Sequence, residues 1–173
     1  FALYLGYPTY SLTVVLLSLL LSLGTGSFLS RRFVGQERRA LPTALLIVTG
    51  LITFYLFGLP WVEHQTLGAP FSVRVALTVG MLAPLGLVLG IFFPLGIRRA
   101  ESIHPDLVPW AWGINGCASV ISSILAVLLA MGFGFGIVWL VALATYVAGV
   151  GALLAFTRPA AAPEETAAAA TLV

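Results

Sequence analysis

A chain of 173 residues that is 60% hydrophobic and 8% charged cannot cover a water-facing surface; a soluble domain carries about 25% charged residues. The mean hydropathy of +1.09 points to lipid as the covering medium. The net charge of +2 comes with neither a basic stripe nor an aromatic platform for nucleic acid, and one cysteine, Cys117, excludes an internal disulfide.

Phe1–Gly6 (FALYLG) reads as the last turns of a helix that begins before this sequence. A first complete membrane span is predicted over 8–30, with Pro8 in the first turn, where a missing N–H costs nothing. Near its end lies a small-residue patch, Gly24-Thr25-Gly26-Ser27. The second span is predicted over 41–61, with Trp61 anchored at an interface. A polar connector, 62–69, holds Glu63, His64 and Gln65. The third span, 71–97, contains Gly80, Pro84, Gly86, Gly90, Pro94 and Gly96 and exceeds the ~20 residues that cross the hydrocarbon, so a kink or tilt is expected.

A polar loop with Glu101, His104 and Asp106 leads to a fourth span over 107–132. The turn MGFGFG allows only an antiparallel hairpin with the fifth span, 135–156. The Ala-, Pro-, Glu- and Thr-rich segment 158–173 lacks periodicity and is expected to be a disordered cytoplasmic tail. The predicted fold is thus an all-α, polytopic transmembrane helical bundle over 1–157, with five complete spans and the end of a preceding helix. Continuous apolar runs, rather than alternation over ~10 residues, argue against a membrane β-barrel.

All eight basic residues are arginine. Arg31, Arg32, Arg38, Arg39, Arg98, Arg99 and Arg158 fall on alternate loops, and Arg74 alone has the opposite phase. Cytoplasmic loops retain Arg and Lys, so this bias places the C-terminus in the cytoplasm and Pro8 outside. A multi-pass membrane protein is expected.

Small residues recur at three- and four-residue spacing on the fourth span: Gly113, Gly116, Ser119, Ser122 and Ser123. Such residues let helix backbones approach closely in lipid, so a close-packed central helix is expected, with Cys117 shielded; the sharper alternative is that this face lines a cavity. Gly86-x-x-x-Gly90 on the third span fits the same packing logic. With Pro84 and Pro94 it also fits either a tolerated kink or a broken helix at a transport site.

Asn115 is a strongly polar side chain within a span. An unpaired amide in hydrocarbon is costly, so it should bond a neighbouring helix or face a polar pathway. Glu63 and Arg74 are candidates for an ion pair, with snorkelling of Arg74 to headgroups as the alternative. No set of ligands suffices for a metal, and no nucleophile with its base, P-loop or nucleotide-binding turn is present; neither cofactor nor catalytic residue is assigned. Leu153 is expected to face lipid.

Two stretches, FALYLGYPTYSLTVVLLSLLLSLGTGSFLSRR (1–32) and LVPWAWGINGCASVISSILAVLLAMGFGF (107–135), with FFPLGIRR (92–99) between them, carry a resemblance. Together they resemble the C-terminal membrane region of bacterial spermidine-synthase-like proteins, including fused transporter/spermidine synthase proteins. The resemblance reaches to about Thr157, and VPWAWGINGCASV is its most distinctive part. It implies a neighbouring aminopropyltransferase- or methyltransferase-like domain outside this segment and transfers no catalytic residue onto it.

The leading functional expectation is a scaffold or accessory subunit of a larger membrane protein or complex, with no chemistry of its own. Its partners would be the lipid bilayer and neighbouring helices of the same or another chain. One alternative is half of a transporter, with a pathway between the third and fourth spans; another is the membrane anchor of an enzyme. A polar cavity between those spans would favour transport, and close packing there would favour a scaffold.

Overall fold

The computed structural model describes residues 1–155 and is all helical. The expected tail, 158–173, and Arg158 lie outside the described residues. Among the described residues, five helices are long and apolar enough to cross a membrane.

Helix α1, Ala2–Leu5, ends at Gly6, whose φ of 80° is a left-handed cap that favours glycine. Helix α2 spans Pro8–Leu29 and tightens into a 3₁₀ turn at Ser30–Phe33. Helix α3 runs Glu37–Phe57, beginning four residues before the predicted second span. Its first turn stands among the arginines, and Glu37 there favours the helix dipole. The predicted end at residue 61 moves back to Phe57, because the chain breaks at Gly58 and restarts as α4, Leu59–Thr66, with Pro60 in its first turn. The polar connector is therefore largely helical.

Helix α5 runs unbroken from Phe71 to Ile103 through Pro84 and Pro94. Its 33 residues span about 50 Å, well beyond the ~30 Å hydrocarbon layer. Arg98, Arg99 and Glu101 thus lie on its last turns rather than in a loop. Pro84 lacks the N–H that the Gly80 carbonyl would receive in a regular helix. One residue further on, the Tyr55 hydroxyl of α3 donates to the Met81 carbonyl oxygen.

Helix α6, Leu107–Phe133, and helix α7, Phe135–Ala155, are joined by Gly134 alone. Its φ of 83° and ψ of 166° lie in a region essentially reserved for glycine, so this residue makes the reversal between the two spans possible.

The tightest contact joins α2 to α5. Ser11, Ser18, Ser22 and Gly26 form a buried seam along α2, facing Thr78, Leu82, Gly86 and Gly90 of α5. A Cβ on Gly26 would collide with the Leu87 carbonyl, and one on Gly90 with the Leu23 carbonyl. On Gly86 it would fall 2.6 Å from Ser22 Cβ. Backbone therefore meets backbone, the contact that dispersion rewards in lipid. Two hydroxyls of the seam bond within their own helices: Ser18 Oγ donates to Val14 O at 2.6 Å and Thr78 Oγ1 to Arg74 O at 2.9 Å. A second core joins α3, α5 and α7 through Leu41, Leu95 and Val150, all buried. Leu153 packs against this cluster, which corrects its expected lipid-facing position; α7 turns that side toward α3, not outward.

Helix α6 departs most from expectation. None of its residues is buried, and a Cβ on Gly113 or Gly116 would meet nothing within 4 Å. Its small face is thus not a packing surface within this chain, and Cys117 is exposed rather than shielded. The physical reason is competition for α5: its small-residue face is already occupied by α2, leaving α6 to contact α5 at its aromatic side. Phe93 and Trp112 meet edge to face there, with centroids 4.9 Å apart.

Candidate functional site

Three features carry the polar chemistry of the described residues. The first is a lock at the Arg74 end of the bundle. Arg74 Nη1 donates to the Tyr4 carbonyl oxygen at 2.7 Å, and its guanidinium lies 6.0 Å from the Tyr4 ring centroid. Tyr4 Oη and Thr66 Oγ1 are 2.7 Å apart. Arg74 thereby satisfies a carbonyl at the end of α1 that has no helical donor, and Tyr4 ties α1 to α4.

The candidate pair Glu63–Arg74 is not formed. Glu63 Oε1 points to the start of α1, 4.0 Å from the Phe1 backbone nitrogen. The reason is reach and geometry: α1 places a backbone acceptor directly beside α5, and the cation takes it. Arg74 Nε is buried without a hydrogen-bond partner.

The second feature is a cleft of about 450 Å³ between α5, α6 and α7, with Leu41 of α3 also on its wall. Asn115, Thr145 and Tyr146 are its polar-bearing wall residues; the rest are apolar or glycine, with Phe92 and Phe93 prominent. The Tyr146 ring packs on Phe92 at 4.9 Å. Asn115 is exposed within this chain and lines the cleft; its backbone carbonyl, not its amide, accepts from Ser119 Oγ at 2.7 Å. The expected interhelix bond from Asn115 is absent because α6 stands away from α5 at this level.

Of the small residues predicted as packing sites, Gly86 and Gly90 face α2, whereas a Cβ on Gly113 or Gly116 would meet nothing within 4 Å, and Ser119, Ser122 and Ser123 are exposed. The three serine hydroxyls donate to carbonyls of their own helix: Asn115 O, Ser119 O and Val120 O. Beside this face an open groove of about 610 Å³ runs from Pro109 to Ile121, past Gly113 and Cys117. Sequence reasoning missed the buried partner of Gly86 and Gly90. Its signal was the 7-4-4 spacing of Ser11, Ser18, Ser22 and Gly26, which returns to one face of a helix.

The third feature is the arginine-rich end. Arg38 of α3 and Arg99 of α5 line one pocket of about 260 Å³ together with Gly35, Glu37, Leu41, Leu153 and Leu154. Arg99 Nη1 donates to Ser102 Oγ at 3.1 Å, and Arg99 Nε is buried without a partner. Glu37 Oε1 accepts the Gly35 N–H at 2.8 Å.

His104 Nδ1 and Asp106 Oδ2 lie 3.4 Å apart on an exposed turn. No group of three His, Cys, Asp or Glu that could hold a metal exists among the described residues. No protein-family model, no curated protein and no solved structure matches the chain, so its reading rests on its own geometry.

Proposed function

We propose that this chain is a membrane-embedded helical module that docks into a larger membrane assembly through α6 and performs no chemistry itself. The observation that carries this is the uncovered small-residue face of α6, centred on Gly113 and Gly116. Small faces on membrane helices serve close backbone approach; α2 and α5 use theirs on each other, and α6 presents one with no helix of this chain against it. The resemblance to spermidine-synthase-like membrane regions adds a candidate for the wider assembly: an aminopropyltransferase- or methyltransferase-like domain.

The resemblance suggests a bacterial inner membrane, and the arginine asymmetry supports a cytoplasmic location for the arginine-rich end. In a Cys117→Ser background, cysteine at Gln36 or Ser102 should resist an impermeant thiol reagent in intact cells, while cysteine at Gln65 should be labelled. The opposite pattern reverses the orientation.

Docking is tested at native Cys117, which lies beside Gly116 on the exposed helix. A thiol-anchored crosslinker applied to native membranes should give an adduct heavier than the chain. Gly116→Leu should remove that adduct while leaving the melting temperature of the isolated chain unchanged. An adduct that persists in Gly116→Leu, or none in either protein, defeats the docking role of this face.

The transporter reading draws on the Asn115 cleft. Its walls are mostly apolar, which suits an apolar guest better than a polar solute.

A further inference from the structure

The arginine pocket and the apolar cleft are neighbours with common walls. Leu41 and Leu153 line both. We propose that together they form a binding site for one anionic phospholipid, its phosphate held between Arg38 and Arg99 and an acyl chain lying in the cleft along α5.

Charge and length both favour this occupant. Among the described residues, the pocket wall carries two guanidiniums and one carboxylate, Glu37, and that carboxylate already accepts the Gly35 N–H. Arg99 has five N–H donors in a fixed fork, of which one serves Ser102. Basic pockets between membrane helices suit anionic headgroups, and guanidinium matches phosphate geometry in a way a point charge does not.

The cleft then supplies what a free anion would not use. Its α5 wall runs from Gly96 through Phe93 and Phe92 to Leu89. Arg99 and Leu89 are ten residues apart, a rise of about 15 Å along a helix, or half of the ~30 Å hydrocarbon layer. A chain anchored at Arg99 would therefore reach the membrane midplane within the cleft. The cleft is wide because Gly96 and Gly149 leave open space where other residues would place side chains.

The test uses the purified chain in a neutral detergent, titrated with phosphatidylglycerol, phosphatidylcholine or inorganic phosphate. Native mass spectrometry reads the bound ligand, and thermal melting reads stabilisation. Phosphatidylglycerol should bind preferentially and raise the melting temperature. Arg38→Gln and Arg99→Gln should each weaken it about fivefold, from ~1 kcal/mol per basic residue. Gly96→Leu should weaken lipid retention by filling the cleft, because a Cβ there meets no atom within 4 Å; Gly149→Leu serves if that variant melts early.

Equal binding of phosphatidylcholine, or indifference to both arginine substitutions, overturns the headgroup assignment. Inorganic phosphate that stabilises as well as the lipid, with Gly96→Leu and Gly149→Leu without effect, shows a small-anion pocket and overturns the lipid proposal.

Discussion

Gly90→Leu is expected to separate α2 from α5 and lower the melting temperature of the detergent-solubilised chain by several degrees. The Cβ alone would collide with the Leu23 carbonyl and come within 3.0 Å of the Ser27 nitrogen, so the obstacle is backbone that cannot rotate away. Overpacking commonly costs ~1–3 kcal/mol, and for a chain of this size each kcal/mol shifts melting by roughly 2–4 °C. Gly26→Leu should act alike, because it meets the Leu87 carbonyl in the same seam. Gly116→Leu and Gly24→Leu are the internal controls, since neither Cβ meets an atom within 4 Å. Equal melting across all four variants would mean that the α2–α5 contact does not hold the bundle together.

Arg74→Met should loosen α1 and α4 without separating the long helices. The substitution keeps an apolar stem against Tyr4 but removes the donor to the Tyr4 carbonyl. Hydrogen bonds to charged groups contribute about 1.5–3 kcal/mol, so amide exchange across residues 1–6 and 59–66 should accelerate roughly tenfold or more. Hydrogen–deuterium exchange by mass spectrometry reads this directly, and the α2–α5 seam should keep its protection. Arg74→Lys should recover only part of the effect, because one ammonium lacks the planar fork that both donates and stacks on the ring. Unchanged exchange in Arg74→Met would remove the lock from the account of this end.

Much of the fold is legible in the sequence because lipid imposes a simple rule: backbone polar groups must be satisfied within the segment, so long apolar runs become helices. Pro8 begins α2, and Gly134 marks the α6–α7 reversal. Helix ends were less legible. Water outside the hydrocarbon permits further turns, so α3 begins among the arginines and α5 continues to Ile103.

Which small faces pack is a different matter. Gly113, Gly116 and the serines of α6 carry the same local pattern as Ser18, Ser22 and Gly26 of α2, yet only the latter lie against another helix of this chain. Hydropathy cannot separate the two, because lipid tails are as apolar as leucine and exert no preference for hiding one face over the other. The partner's shape makes the choice: α5 offers Gly86 and Gly90 on one side, where α2 fits, and Phe93 on another, where Trp112 of α6 comes to rest. Arg74 follows the same logic, since Glu63 and the Tyr4 carbonyl were both within the composition of that end, and only the placement of α1 selected the carbonyl. The sequence by itself determined the five long apolar helices and the arginine asymmetry between their ends. Tertiary structure decided which faces meet, where α6 stands open, and that Arg38 and Arg99 share a pocket above the Asn115 cleft, because these depend on contacts between segments that no local pattern encodes.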